Sequence, residues 1–248
     1  MDIRSFSREM IQECIEGSAK ADKFENIRII FSPAKIHEGN FNQACEIYGA
    51  IYGDDFDNVI IIEDSDEFLK KRLPMSSHDA YETPFGLVPV NDKARNELCD
   101  EEDDFFVDDE GFNSEMSLFH QLMMLQCSLN EFKVVSVQIS KDERPAILRE
   151  LAIVVSELHD LRNTLIVFCC DLDSRNMDEF LRLQESILNN DRSNLFNAAF
   201  SEEATIEGRA AFVAGVLVAK NWELGIEFIR SGSESDSLLA GIAFKAQV

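Results

Sequence analysis

The stretch that most constrains the fold is residues 58–68, which read Asn-Val-Ile-Ile-Ile-Glu-Asp-Ser-Asp-Glu-Phe. Residues 59–62 are all β-branched, so they favour an extended backbone and offer no polar face. Such a run is typical of a strand in a parallel sheet that helices cover on both sides. The strand stops in five polar residues, and ligands of open α/β sheets collect beyond the carboxyl ends of the strands. We therefore expect a buried parallel strand with a candidate site at its end.

The pattern before this strand predicts a β-α-β unit. A strand pattern at residues 26–31 and a helical pattern at residues 41–52 lead into the strand at residues 58–62. Such units are almost always parallel, right-handed crossovers. An amphipathic helix at residues 4–15 precedes the unit, because its apolar residues recur at three- and four-residue spacing.

The rest of the chain continues the alternation of helices and strands. Pro84 and Pro89 exclude a central strand over residues 81–90, where an edge strand or a shaped loop fits. Helical patterns cover residues 92–98, 114–127, 144–159, 177–189, 194–200 and 207–221, and strand patterns cover residues 132–139, 163–170, 222–230 and 238–246. We predict one α/β domain over residues 1–248, with a mainly parallel central sheet flanked by helices and a more antiparallel pair of C-terminal strands.

The formal net charge of −24, from 47 acidic and 23 basic residues, bounds the choice of partner. Nucleic acids and anionic membrane surfaces both attract clustered Lys and Arg, so we expect neither as a partner. An unidentified protein or small molecule is the expected partner, and a homo-oligomer is compatible with the sequence. No apolar run approaches the roughly 18 residues of a membrane span, and no secretory signal precedes the first helix. We therefore expect a cytoplasmic protein.

An acidic stretch at residues 100–110 contains eight carboxylates in eleven residues. Self-repulsion favours a solvated surface loop, held down only at Phe105, Phe106 and Val107. The stretch is not an EF-hand, because counting from Asp100 the sixth residue is Phe105 rather than glycine. A docking surface for a basic partner is the alternative interpretation.

Two strand ends and two predicted helix starts place carboxylates where a site is expected. Asp64 and Asp66 follow one buried strand, and Asp171 and Asp173 follow another. Together with Glu115 and Glu207 they could bind a hard cation such as magnesium or calcium, or raise the pKa of one carboxyl group. In a chain this acidic, however, some carboxylates fall at strand ends by chance.

Other catalytic and metal motifs are weak or missing in the sequence. Asp171-Leu172-Asp173 is similar to the aspartyl-phosphate signature of haloacid-dehalogenase-like phosphatases, but Ser174-Arg175 follows and the motif comes late in the chain. The six cysteines have no C-x-x-C or zinc-finger spacing, so we predict neither a metal finger nor a disulfide framework. Among the four histidines, only His37, just past the first strand, is placed like a ligand or a base.

Several short blocks resemble, in order, those of the Memo family, whose members share a fold with class III extradiol dioxygenases. The blocks run from the first strand to the C-terminus: Ser32-Pro33-Ala34, Glu63-Asp64-Ser65-Asp66, residues 76–79, Thr83-Pro84-Phe85, Ser114-Glu115-Met116, Asp171, Gly208-Arg209 and Leu239-Ala240-Gly241. The resemblance covers roughly residue 27 onward. It implies the same fold, with a pocket at the strand ends.

The departures from the family pattern concern its metal site. The resemblance implies two histidine ligands and one cysteine ligand, but the matching positions hold Ala34, Asp66 and Glu207. Two further family histidines fall at Phe112 and Ser174. Iron, copper and zinc depend on imidazole and thiolate ligands, so the resemblance implies a site that has lost its redox metal.

The leading hypothesis is a catalytically degenerate Memo-like protein, without a metal or other cofactor, that acts by binding or assembly. Its candidate pocket consists of Ala34, His37, Asp66, Glu115, Asp171, Ser174, Glu207 and Arg209. The alternative is an enzyme with a rebuilt carboxylate site, a magnesium- or calcium-dependent hydrolase or phosphatase. That site would use Asp66, Glu115, Asp171 and Glu207, with His37 as base.

Overall fold

The computed structural model describes residues 1–19, 26–101, 104–141, 145–158, 163–173, 177–189, 191–201, 206–230 and 238–245. The helices are α1 (Arg8–Ser18), α2 (Phe41–Ala50), α3 (Asp92–Glu101), α4 (Ser117–Ser128), α5 (Pro145–Glu157), α6 (Met177–Leu188), α7 (Arg192–Ala199) and α8 (Arg209–Asn221). The strands are β1 (Ile27–Ser32), β2 (Asn58–Asp64), β3 (Leu73–Met75), β4 (Ala80–Thr83), β5 (Gly86–Pro89), β6 (Phe105–Val107), β7 (Lys133–Ile139), β8 (Thr164–Cys169), β9 (Asp171–Asp173), β10 (Ile206–Glu207), β11 (Leu224–Arg230) and β12 (Leu238–Lys245). None of the helices in these ranges is both long and apolar enough to cross a membrane.

The centre of the main sheet is parallel, which confirms the predicted fold class. Its four central strands lie in the order β1-β8-β2-β7, and every neighbouring pair among them is parallel. Strands β1 and β2 of the predicted β-α-β unit are therefore parallel, but β8 lies between them. Strand β12 pairs antiparallel with both β1 and β11, which confirms the antiparallel pair at the C-terminal end.

Strand β2 contributes to both hydrophobic cores because its side chains alternate between the two faces of the sheet. Val59 and Ile61 belong to the core beneath α1, α2 and α4. Ile60 and Ile62 belong to the core beneath α5, α7 and α8. All four side chains are almost completely buried, as expected for a strand covered on both sides.

Three local elements differ from the predictions. Helix α4 begins at Ser117 rather than Ser114, so Glu115 lies before its first turn. Helix α3 runs to Glu101 rather than residue 98, and before its first residue, Asp92, the side-chain oxygen of Asn91 accepts a hydrogen bond from the Ala94 amide at 3.1 Å. Residues 80–89 form an antiparallel β4–β5 hairpin, which satisfies their backbone groups away from the main sheet.

The acidic stretch is more ordered than a surface loop. Strand β6 lies inside it and pairs in parallel with β3 at the edge of the main sheet. Phe105 is only 2% exposed, so burial of one aromatic ring and backbone pairing hold the segment against its charge. On its N-terminal side the stretch also includes the end of α3 at Glu101.

Candidate functional site

A cleft of about 160 Å³ lies at the carboxyl ends of β1, β2, β7 and β8, where the fold class predicts a site. Its ionisable lining is acidic, with one basic side chain, Lys35, among the described residues that form it. The acidic side chains are Glu63, Asp64, Asp66, Glu67, Glu115 and Glu207. The end of β2 therefore supplies four of the six carboxylates.

Glu63, the first acid after the apolar run of β2, caps a helix. Its carboxylate accepts hydrogen bonds from the backbone amides of Ser117 at 2.6 Å and Leu118 at 3.4 Å, at the start of α4. A carboxylate at this position satisfies amides that lack a partner within the helix and interacts favourably with the helix dipole. Glu63 is 3% exposed, and its burial raises its pKa to about 7, against the opposing effect of these amides.

Asp64, the next residue, caps a second helix on the other face of the sheet. Its two carboxylate oxygens accept hydrogen bonds from the amides of Ala210 at 2.9 Å and Ala211 at 2.7 Å, in the first turn of α8. Successive side chains of a strand point to opposite faces. The Glu63-Asp64 pair at the end of β2 therefore anchors one helix from each layer.

Asp171, at the end of the buried strand β8, binds the loop after β1. One carboxylate oxygen accepts a hydrogen bond from the Ala34 amide at 3.2 Å, and the Lys35 amide is a second donor. Burial, followed by the nearby Glu207 charge, raises the pKa of Asp171 to about 7. Its other oxygen is buried and has no hydrogen-bond partner in the described part of the chain. Asp171 therefore holds the loop after β1 that forms one wall of the cleft.

Gly208 allows the N-terminus of α8 to approach β8 closely. Its φ of +71° lies in the left-handed region, and a Cβ atom built on it would lie 2.2 Å from the Cys169 carbonyl oxygen. No side chain fits in that space. The sequence pattern Gly208-Arg209 thus marks a contact between helix and strand at the edge of the cleft.

The structure brings together some of the predicted site residues and separates others. Ala34, Asp66, Glu115 and Glu207 all line the cleft, and Glu115 also pairs with Arg4 at 3.5 Å. His37 is exposed outside the cleft lining, where its Nδ1 accepts a hydrogen bond from the Gly39 amide at 3.0 Å.

Two further predicted positions, Asp171 and Arg209, are not among the residues that line the cleft. The Arg209 guanidinium lies over the Phe200 ring, 5.8 Å from its centroid. Ser174 is outside the described residues. The sequence placed Glu63 and Asp64 among the acids at the strand end, but it did not predict that each caps a helix.

The residues that the sequence resemblance puts at metal-ligand positions do not fit a redox metal. Ala34 has no side-chain ligand atom, and Asp66 and Glu207 are exposed carboxylates. Across the described ranges, no three His, Cys, Asp or Glu side chains are grouped so that they could hold a metal ion. A transition-metal centre needs such a group of nitrogen or sulfur donors, and the rebuilt carboxylate site gains no support from this geometry.

Titration of Glu63 is expected to make stability depend on pH. Its folded-state pKa of about 7 lies above its usual value of 4.5, so the fold favours the neutral carboxyl group. That contribution is present below the usual pKa and is lost as pH rises through 7. Relative to Glu63→Gln, the wild type should therefore lose about 3 kcal/mol of unfolding free energy between about pH 4.5 and 8. Urea unfolding across this range measures the difference.

The matched control for that prediction is Glu67→Gln at an exposed position of the same cleft. It should follow the wild-type pH dependence throughout. Parallel curves for Glu63→Gln and the wild type would contradict a titrating buried Glu63.

Known proteins resemble this chain over most of its length. The family described as Memo-like protein matches residues 4–225. A MEMO1 family protein of Nitrosopumilus maritimus is 26% identical over 223 residues, covering 86% of this chain and 81% of the relative. One from Thermotoga neapolitana is 33% identical over 116 residues, covering 46% and 42%. The crystal structure of an uncharacterized protein from Escherichia coli K12 is similar in fold, with a TM-score of 0.58 at 9% identity over 87% of this chain and 99% of that chain.

Proposed function

Because this chain belongs to the Memo-like protein family, we propose that it keeps the family scaffold without a redox metal centre and acts by binding or assembly. The cleft at the strand ends is the proposed recognition site. Its partner is a protein or small molecule that presents a cationic group.

The proposal rests on one observation: the buried carboxylates around the cleft accept hydrogen bonds from backbone amides. Glu63 and Asp64 each accept two backbone amide hydrogen bonds from a helix start, and Asp171 accepts two from the loop after β1. Carboxylate oxygens that accept backbone amide hydrogen bonds support the architecture of the cleft. The acids that resemble a catalytic cluster in the sequence therefore have a structural use.

The exposed side chains of the cleft favour a cationic ligand. In the described lining of the cleft, the exposed carboxylates of Asp66, Glu67 and Glu207 outnumber the one basic side chain, Lys35. The fourth exposed carboxylate, Glu115, pairs with Arg4. Carboxylates close together attract ammonium and guanidinium groups, and the net charge of −24 extends this attraction over the whole surface. A lysine or arginine side chain of a partner protein, or a small amine, fits this chemistry.

Metal analysis of the purified protein tests the loss of the redox centre. Expressed with added iron, copper and zinc, the wild type should carry far less than one equivalent of each, because imidazole and thiolate ligands are missing from the family positions. The triple variant Ala34→His, Asp66→His, Glu207→Cys, which restores the family ligand types, serves as the comparison and should retain more metal. One equivalent of a transition metal in the wild type would refute the proposal. One equivalent of calcium or magnesium would instead favour the rebuilt carboxylate site.

A further inference from the structure

A second and larger cavity lies between α6 and α7, and it shares no lining residue with the strand-end cleft. This groove has a volume of about 470 Å³, within the usual range for small-molecule pockets. Of the nine described residues that line it, eight have polar side chains, and Ala198 is the ninth. The polar lining residues are Arg182, Glu185, Ser186, Asn189, Asp191, Asn194, Asn197 and Ser201.

The polarity of the groove follows from how the two helices use their faces. Each helix buries apolar side chains in the core beneath α5, α7 and α8: Leu183 and Ile187 of α6, and Leu195 and Phe196 of α7. The groove residues on each helix recur at three-, four- and seven-residue spacing, so they form one continuous face per helix. One polar face of each helix thus lines the groove.

Several groove side chains are already held in place. The Asp191 carboxylate accepts hydrogen bonds from the Asn194 amide at 3.0 Å and from its side-chain nitrogen at 2.6 Å. The hydrogen bond from its side-chain nitrogen orients the Asn194 amide group and leaves the amide oxygen available as an acceptor. The Ser186 hydroxyl donates to the Arg182 carbonyl at 2.9 Å, so it too offers lone pairs to the groove.

Arg182 and Glu185 place opposite charges one helical turn apart on the same wall. Both are exposed, and in the described part of the chain no ion pair joins them to each other or to another residue. A guanidinium binds a carboxylate through two parallel hydrogen bonds, and a carboxylate accepts from an ammonium group. The wall therefore offers separate positions for an anionic and a cationic group.

We propose that the α6–α7 groove binds a small zwitterion, a free α-amino acid or the like. The Arg182 guanidinium holds the ligand's carboxylate, and the Glu185 carboxylate holds its ammonium group. The amides of Asn194 and Asn197, on the opposite wall, hydrogen-bond a polar side chain of the ligand. This site is independent of the proposed function of the strand-end cleft.

Isothermal titration of the full chain with each common α-amino acid, at up to about 10 mM, tests the site. We expect at least one to bind. Its N-acetyl derivative lacks the ammonium group and its carboxamide lacks the carboxylate, so each should bind about tenfold more weakly. Binding by none of the amino acids, or equal binding by both derivatives, would overturn the proposal.

Variants of the wall locate the binding. Arg182→Gln and Glu185→Gln change exposed side chains, so the fold should be unaffected, and each should weaken binding about tenfold. Arg192→Gln is the matched control, because Arg192 is an exposed arginine on α7 outside the groove lining; its affinity should equal that of the wild type. Unchanged affinity in both wall variants would place the ligand elsewhere and refute the assignment.

Discussion

Replacing Gly208 by alanine is expected to lower the free energy of unfolding by about 4 kcal/mol or more, or to prevent folding. The new Cβ would lie 2.2 Å from the Cys169 carbonyl oxygen and 2.9 Å from the Cys170 Cα, and both obstacles are backbone atoms that cannot move aside cheaply. The left-handed φ of +71° adds strain of its own. Denaturant unfolding followed by circular dichroism measures the loss.

Gly53→Ala is the matched control for this substitution. Gly53 has nearly the same backbone conformation, with φ of +74°, but nothing lies within 4 Å of a Cβ built on it. It should cost only the conformational strain, about 1–2 kcal/mol. Similar losses at the two positions would show that the contact of α8 with β8 is not what constrains Gly208.

Asp64→Ala is expected to lower the free energy of unfolding by about 3 kcal/mol, the second largest loss among the substitutions. The substitution leaves the amides of Ala210 and Ala211 without their acceptor and removes a negative charge from a helix N-terminus. Helix α8 is buried along nearly its whole length. The amides of its first turn therefore cannot exchange the lost acceptor for water without moving the helix. Thermal or denaturant unfolding measures the change.

Asp66→Ala, two residues further on, provides the comparison. Asp66 lines the same cleft but is exposed, and the stability of this variant should match that of the wild type. It should instead weaken binding of a cationic partner, because Asp66 is one of the exposed carboxylates that line the cleft. Equal stability of the Asp64 and Asp66 variants would contradict the assignment of Asp64 as a helix cap.

The fold was predictable from the sequence where hydrophobic pattern alone decides it. The unbroken β-branched run of β2 and the apolar run of β8 both lie in the parallel centre of the sheet, as their lack of a polar face requires. The boundary of α4 was not predictable in this way. Ser114 and Glu115 have the composition of a helix start, but the cap comes from Glu63, more than fifty residues earlier.

The candidate site was predictable in place but less so in role. Its location at the end of β2 follows from the sequence, and Ala34, Asp66 and Glu207, which the sequence resemblance singled out, all line the cleft. Whether an acid faces a ligand or a backbone amide depends on which helices lie above each face of the sheet. That information is spread over distant segments, since α4 and α8 come long after β2 in the chain. The amide-lined groove between α6 and α7 carries no motif at all.

The position of β8 between β1 and β2 sets the order in which the chain can fold during synthesis. The first half of the protein contains two strands that never pair with each other, and each awaits the same partner, residues 164–169. Sheet pairings this distant in sequence form slowly. A nascent chain that stops before residue 164 therefore exposes two apolar strand edges, which makes it a substrate for chaperones and prone to aggregation.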